Sequence, residues 1–339
     1  MWTAEPSRAV FDRAFHSWRT QVTCRPTIGE YPVYDDHLYR WLLEDHERMQ
    51  AYRRAIEAAA PGRRIVDLGT GADAPLAIMC AKAGASHVDA IEVMPDSAAA
   101  ARRRIAQLGL DGQIDVHCGS SSTVTLDQPA DLCVSEIIGM IAGAEGVTAA
   151  LKDAKRLLGP GGRMLPSRCI TWFAPAEAAS PVYVDEDCTA VADHYAERIY
   201  RSIGHRFPLT RIVTFNFPEA NLLAAKKPFE DLDFNTDSIE QASDSVTFTT
   251  MKAGRCEGFV LWIELHVDAD NIVSSWQGSS WAPVFLAMPP VMVAPGDSIA
   301  VNLSRFVKRP GENPSYEIIG NIYRGGRRTG SVEILSHYT

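Results

Sequence analysis

The sequence is short of cysteine and lacks any cysteine pairing pattern. Seven cysteines are scattered through 339 residues, with no C-x-x-C pair. That argues against both a disulfide framework and a structural zinc site, so no metal is expected. Free thiols fit a reducing compartment, and a cytoplasmic location is expected. Long apolar runs are also missing. None approaches the roughly 20 residues of a membrane-spanning helix. The stretch MWTAEPSRAVFDRAF alternates charged and apolar residues and has no export-signal core. A membrane is therefore not an expected partner. Positive charge is in deficit, with 33 Lys and Arg against 42 Asp and Glu and a net charge of −9. An acidic chain suits a basic or neutral partner better than nucleic acid. No internal repeat and no low-complexity segment is visible. What is present, 46% hydrophobic and 22% charged residues, is a globular composition long enough for two domains.

The chain has two halves of different texture. From Asp35, Leu38, Trp41, Leu42, Met49, Tyr52 and Ile56 recur at helical spacing until Pro61-Gly62. Then RRIVDLG reads as a buried strand and APLAIMCAKAG as a helix ending at Gly84. HVDAIEV is a strand, and PDSAAAARRRIAQLG a helix opened by Pro95. QIDVHCG and ADLCVSE are further strands, and VTAALKDAKRLLGPGG a further helix. This alternation implies a parallel sheet with helices on its faces. After about Pro166 the segments become short and rich in Val, Ile, Phe and Thr, as in RIVTFNF, GFVLWIELHV and SIAVNLSRFV. These predict an antiparallel β domain, a barrel or sandwich. Residues 185–207 interrupt it as a helix. Val191, Tyr195, Ile199 and Ile203 form an apolar stripe on that helix, and burial against a second copy is expected, the alternative being that the stripe packs back on its own β domain.

In VDLGTGADAPLAIMC a strand runs into a helix through Gly69 and Gly71, which allow a tight turn and close ligand approach. Asp67 precedes them. Glu92 ends the next strand, about twenty positions on, where an acid can accept from ribose hydroxyls. CGSS, residues 118–121, follows the strand after that. All these loops fall at the carboxyl edge of the sheet, the binding edge of open α/β folds. A dinucleotide fingerprint fails, because Ala74 stands where its third glycine belongs.

The stretch SEIIGMIAGAE sets Glu136 and Glu145 nine positions apart in an apolar frame with Gly139 and Gly143. Burying two carboxylates is costly without a cation between them. Which cation the pair would hold is an open question at this point of the sequence.

Taken with the motifs LEDHERMQAYRRAI, AKAGASHVDAIE and SSWAPVFL (279–286), the double glutamate resembles the protein arginine methyltransferase family over residues 31–339. The resemblance implies an α/β fold: a Rossmann-like class I methyltransferase domain (31–165) followed by an antiparallel β-barrel domain (166–339) carrying a helical dimerisation arm at about 185–207. It implies S-adenosyl-L-methionine as cofactor and a homodimer. Residue by residue, Arg48 falls on the arginine that pairs with the cofactor carboxylate, and Glu92 on the ribose glutamate. Glu136 and Glu145 fall on the catalytic, substrate-gripping pair, and Trp281 on the tryptophan of a second substrate loop. Tyr39 stands near a cofactor-binding histidine of the family. Ser122, with Ser121 beside it, stands where a glutamate often meets the adenine. Asp67, Gly69 and Gly71 complete the expected cofactor set. Ser280 replaces the histidine of the usual Thr-His-Trp, and the motifs look more like the branch that makes monomethyl or symmetric dimethyl arginine.

The family usually modifies arginine in proteins, and relatives in actinobacterial biosynthesis methylate free L-arginine at Nω on the way to streptozotocin. An Ala- and Arg-rich chain fits the second kind better. A free amino acid needs a closed pocket with a partner for its carboxylate. Residues 1–30, with Phe15, Trp18, Arg19 and Arg25, are a candidate cover for the site, the alternative being a tail packed outside. A protein arginine methyltransferase and a catalytically silent binding scaffold remain the other readings.

Overall fold

The computed structural model describes residues 5–31, 33, 35–180, 186–236, 243–277, 280–309 and 312–338. Residues 1–4 of the expected cover, residue 185 at the head of the expected arm and Ser279 of the tryptophan loop lie outside that set.

The N-terminal part forms α1 (Arg8–Thr20), β1 (Thr23–Pro26), α2 (Asp36–Leu43) and α3 (His46–Ala59). The alternating part is β2 (Arg64–Leu68), α4 (Pro75–Lys82), β3 (His87–Glu92), α5 (Pro95–Gln107), β4 (Ile114–Cys118), β5 (Ala130–Ser135), α6 (Val147–Lys155) and β6 (Leu158–Leu165). Next come β7 (Arg168–Ala176), α7 (Glu186–Ile203), β8 (Arg211–Phe215), β9 (Lys227–Asp233), β10 (Ser243–Thr249) and β11 (Gly254–His266). The chain finishes through β12 (Ile272–Ser274), β13 (Val284–Val293), β14 (Ser298–Phe306), β15 (Ser315–Arg324) and β16 (Arg327–Ser336).

The expected parallel sheet is present, in the order β4-β3-β2-β5-β6. Its strands are apolar on both faces, as Ile65, Val66, Val88, Ala90, Leu132 and Val134 show, because helices cover both sides. Asp67 pairs in register with Ala90 on β3 and Val134 on β5, which puts it in the centre of the sheet near its carboxyl edge. The β half consists of two antiparallel sheets. One is seven-stranded, β1-β8-β13-β11-β7-β9 with β12 on β11; the other is β10-β14-β15-β16. They enclose a core of Phe173, Phe248, Phe259, Leu286, Ile299 and Ile318, with Phe173 and Phe248 edge to face at 4.9 Å.

Two expectations are corrected. The run from Asp35 is two helices, because Asp45 leaves the helical path and caps α3 by accepting from the Arg48 N–H at 3.2 Å. The stripe on α7 is covered by this chain itself. Val191, Tyr195 and Ile199 are fully buried against Phe11, Ala14 and Phe15 of α1 and Leu38 of α2. Tyr195 Oη donates to Asp35 Oδ1 at 3.0 Å, and Arg198 reaches Asp35 Oδ2 at 3.3 Å. Since Asp35 is the N-cap of α2, α7 locks the start of that helix. Among the described residues, no helix is long and apolar enough to cross a membrane.

Candidate active site

At the carboxyl edge of the parallel sheet a cavity lies between the two halves and the N-terminal part. Its walls include Tyr39, Arg48, Asp67, Gly69, Gly71, Glu92, Glu136, Glu145 and Trp281. Nine of the eleven residues expected at the site therefore meet there. Ser121 and Ser122 do not line the cavity. They sit in the turn after β4, where Ser120 and Ser122 share a hydroxyl hydrogen bond of 2.8 Å and the Ser121 carbonyl accepts from Arg156.

The glycine loop takes the geometry its sequence predicts. Gly69 and Gly71 have φ of +70° and +66°, which residues with a side chain adopt only at a cost. Ala74 is left-handed too, at +46°, at the position where the dinucleotide fingerprint would have glycine. Glu92 closes the loop by accepting from Gly71 N at 2.9 Å and from Met94 N at 2.8 Å. Each carboxylate oxygen retains a second lone pair for a hydroxyl donor. Asp67 is fully buried and accepts from Thr70 Oγ1 at 2.5 Å and from Ala77 N at 3.1 Å, both on Oδ2. Burial pushes its carboxyl up to about 7, those two hydrogen bonds work against the rise, and Glu92 adds to it. Burial, and then the charge of Glu92, push the Tyr39 phenol above its ordinary value, so Tyr39 is a neutral hydroxyl at the cavity wall.

The double-glutamate segment leaves β5 and turns through a short 3₁₀ stretch, Ala142–Glu145. Three side chains of the β half hold it. Thr171 Oγ1 accepts from Ala142 N at 3.0 Å, Glu230 Oε1 accepts from Gly143 N at 2.7 Å, and Trp281 Nε1 donates to the Ile138 carbonyl at 2.9 Å. Arg305 fixes Glu230 in turn, at 2.9 Å. Gly139 is required sterically, since a Cβ there would lie 2.7 Å from the Ile141 carbonyl oxygen. Thr171, Glu230 and Arg305 were not singled out from sequence, and nothing in a strand such as KPFEDLD marks one acid as a loop anchor.

Arg48 is buried on α3 and points back at the glutamates. Its Nη1 lies 3.3 Å from Glu136 Oε2, Nη2 donates to the Leu42 carbonyl at 2.6 Å, and the guanidinium stacks over Trp281 at 4.9 Å. Glu136 thus has a resident cation before any substrate arrives. Trp281 is buried beneath Arg48 and braces the glutamate loop as well as lining the cavity. Asp45 completes the joint, because Oδ2 accepts from Ser280 N at 2.6 Å and ties the tryptophan loop to the start of α3.

The N-terminal part also reaches the cavity. Arg25, Ile28 and Gly29 line it, and β1 holds Arg25 by pairing with β8, opposite Val213. Glu30 forms a buried ion pair with Arg211 of β8. Among the described residues, the grouping of metal-ligand types His87, Asp89 and Asp115 is not part of the cavity wall, and Asp89 there accepts from Arg64 at 3.0 Å.

Comparison with known proteins agrees with this layout. Residues 65–162 match a methyltransferase domain model. An arginine N(omega)-methyltransferase of Streptomyces achromogenes subsp. streptozoticus is 29% identical over 283 residues, covering 78% of this chain and 75% of that protein. A probable protein arginine N-methyltransferase 6 of Arabidopsis thaliana is 26% identical over 271 residues, 74% of this chain and 60% of that protein. In fold, the chain matches Arabidopsis thaliana protein arginine methyltransferase 10 with a TM-score of 0.72 at 20% identity, over 95% of this chain and 99% of that one. It also matches a Trypanosoma brucei PRMT1 enzyme-prozyme heterotetrameric complex with AdoHcy, with a TM-score of 0.69 at 15% identity, over 88% and 98%. Residues 65–162 carry a methyltransferase domain, and the chain is similar in sequence to arginine N-methyltransferases and in fold to solved protein arginine methyltransferases.

Proposed function

We propose that this protein is an S-adenosyl-L-methionine-dependent N-methyltransferase acting on the guanidino group of free L-arginine, in a bacterial small-molecule biosynthesis. One observation carries the reading: Glu136 and Glu145 face one cavity that also holds the glycine loop and Glu92. A cation binder alone would not need the second set, and a nucleotide binder alone would not need the first.

The residues fit the cofactor. Arg48 Nε, Asp67 Oδ1 and Ser280 Oγ are buried without a hydrogen-bond partner among the described residues, and all three belong to residues of the cavity wall. Glu92 would accept from the ribose hydroxyls, and Arg48 would hold the cofactor carboxylate. When bound, S-adenosyl-L-methionine supplies a methyl group carried on a sulfonium cation. Glu136 and Glu145 grip the substrate guanidinium through charge-assisted hydrogen bonds and offset the repulsion of two cations held side by side. They draw positive charge toward the nitrogens they touch, which leaves lone-pair density on the nitrogen to be methylated. Arg48 shares Glu136, so it couples cofactor binding to the readiness of that carboxylate. Rate acceleration then comes from positioning and preorganised charge; no strong base is required before transfer, and the N–H proton of the methylated nitrogen leaves afterwards, so the product keeps a single charge.

The wall formed by Arg25, Ile28 and Gly29 favours a small substrate, because the N-terminal part narrows the site. A homodimer remains part of the proposal on resemblance alone and would have to use a face other than the α7 stripe. Release of S-adenosylhomocysteine with free L-arginine, compared with an end-blocked arginine peptide, tests the reading. Release with the peptide alone would move the assignment to protein arginine. No release with either would leave a binding scaffold.

A further inference from the structure

We propose that Glu230 is a positioning residue for the substrate-gripping carboxylate of Glu145, so that each glutamate of the pair is set by a different half of the molecule. This rests on the reading of the cavity as a guanidino methyltransferase site. Glu136 is met from the methyltransferase half, where Arg48 of α3 lies 3.3 Å from it. Glu145 ends the 3₁₀ turn Ala142–Glu145, and the start of that turn is held from the β half. Thr171 on β7 and Glu230 on β9 are register partners. Thr171 Oγ1 accepts from Ala142 N and donates to Glu230 Oε1 at 3.1 Å, and the same Glu230 oxygen accepts from Gly143 N at 2.7 Å. Two consecutive amides of the turn are thus fixed by one cross-strand pair. Gly143 also closes the turn, since its carbonyl accepts from Gly146 N at 3.0 Å. Glu145 lies inside that closed segment, so the direction of its side chain follows from where Glu230 holds Gly143.

The anchor is a charge, although a neutral acceptor would satisfy the amides. The Glu230 side chain is 7% exposed and is not part of the cavity wall, so its influence on a ligand there passes through the turn. Burying a carboxylate is costly unless it is paired and hydrogen-bonded. Glu230 meets that condition, because Arg305 Nη1 donates to Oε2 at 2.9 Å from β14, a strand of the other sheet. A buried carboxylate bonded on both oxygens holds one arrangement rather than several. Gly143 rests directly on this network. A Cβ at that position would lie 3.2 Å from Tyr316 Oη, 3.3 Å from Glu230 Oε2 and 3.4 Å from Arg305 Nη1. A carboxylate that must offset two adjacent cations works only in its proper place, and both sheets of the β half fix that place for Glu145.

The test is a double-mutant cycle on substrate affinity, read by calorimetry with S-adenosylhomocysteine bound, together with turnover. It uses L-arginine, or the end-blocked arginine peptide if the wild type methylates only that. Glu230→Gln keeps the volume and removes the charge beside Arg305. It should weaken substrate binding and lower kcat/KM by roughly 10- to 100-fold, the scale of a small misplacement, with S-adenosylhomocysteine affinity unchanged. Glu230→Asp, which keeps the charge but draws it back from Gly143, should fall between. In a Glu145→Gln background, Glu230→Gln should change substrate affinity little, because the carboxylate it positions is gone. A general loosening of the fold lowers affinity by the same factor in both backgrounds, so additive losses overturn the proposal. So do wild-type affinity and turnover in a folded Glu230→Gln protein. A loss of S-adenosylhomocysteine affinity as large as the loss for substrate overturns it as well. Should Glu230→Gln not fold by circular dichroism, Glu230→Asp carries the cycle. A wild-type protein that neither binds nor methylates either compound would remove the guanidino methyltransferase reading itself, and the proposal with it.

Discussion

Glu136 and Glu145 carry the chemistry only if their charge is needed. Glu136→Gln and Glu145→Gln keep shape and hydrogen-bonding capacity but leave two cations with one carboxylate. Each should lower kcat by about 10²- to 10³-fold, the scale of losing one preorganised electrostatic group. Cofactor affinity should change more for Glu136→Gln than for Glu145→Gln, because Glu136 is bonded to Arg48. Near-normal turnover in a folded variant would remove that residue from the mechanism. Asp67 makes a prediction about stability. An unfolded aspartate titrates near about 3.9, and Asp67 in the fold near about 7. The folded state therefore binds the proton more tightly. The stability contributed by this residue is fully present below about pH 4 and is lost as pH rises through about 7. Urea unfolding of the cofactor-free protein should show a decline over that window that Asp67→Asn lacks, and equal slopes in the two proteins would contradict it. Single residues were largely legible in the sequence where a motif fixes them, as with Glu92, Glu136 and Glu145. Ser121 and Ser122 lie in the turn after β4 and outside the cavity wall, because position after a strand does not say how far the following turn reaches.

At the scale of elements, α7 is the instructive case. Its stripe was readable, but what it faces was not. The partner is α1, about 180 residues earlier in the chain, and no local pattern couples the two. Since Ile199 is fully buried inside one chain, Ile199→Ala should cost roughly 2–5 kcal/mol, the usual range for truncating a core aliphatic. A shift of the urea midpoint with unchanged mass by light scattering is the expected result. Halved mass with unchanged stability would restore the stripe as an interface between copies. The split between α2 and α3 escaped the periodicity because Glu44 and Asp45 fall on positions where polar residues are already expected. Only the cap geometry of Asp45 reveals the break, and the break is what lets Asp45 hold the tryptophan loop.

Across the whole molecule, alternating strands and helices made the parallel sheet and its binding edge legible, and Val- and Ile-rich segments made the β half legible. The joint between the halves was not, because it is built from single long-range hydrogen bonds by Thr171, Glu230 and Trp281. Those bonds explain why the β half is needed: it holds the glutamate loop over the edge where the cofactor domain ends. Nor did composition place β1 beside β8, which brings Arg25 to the cavity. On the proposed function, this cavity transfers a methyl group to a guanidino nitrogen. The most direct test supplies S-adenosylmethionine labelled with ¹³C in its methyl group, together with free L-arginine, and locates the label by fragmentation mass spectrometry. The account predicts label on a side-chain guanidino nitrogen, and its loss in Glu136→Gln and Glu145→Gln. Label on the α-amino group, or none on arginine despite bound cofactor, would contradict it.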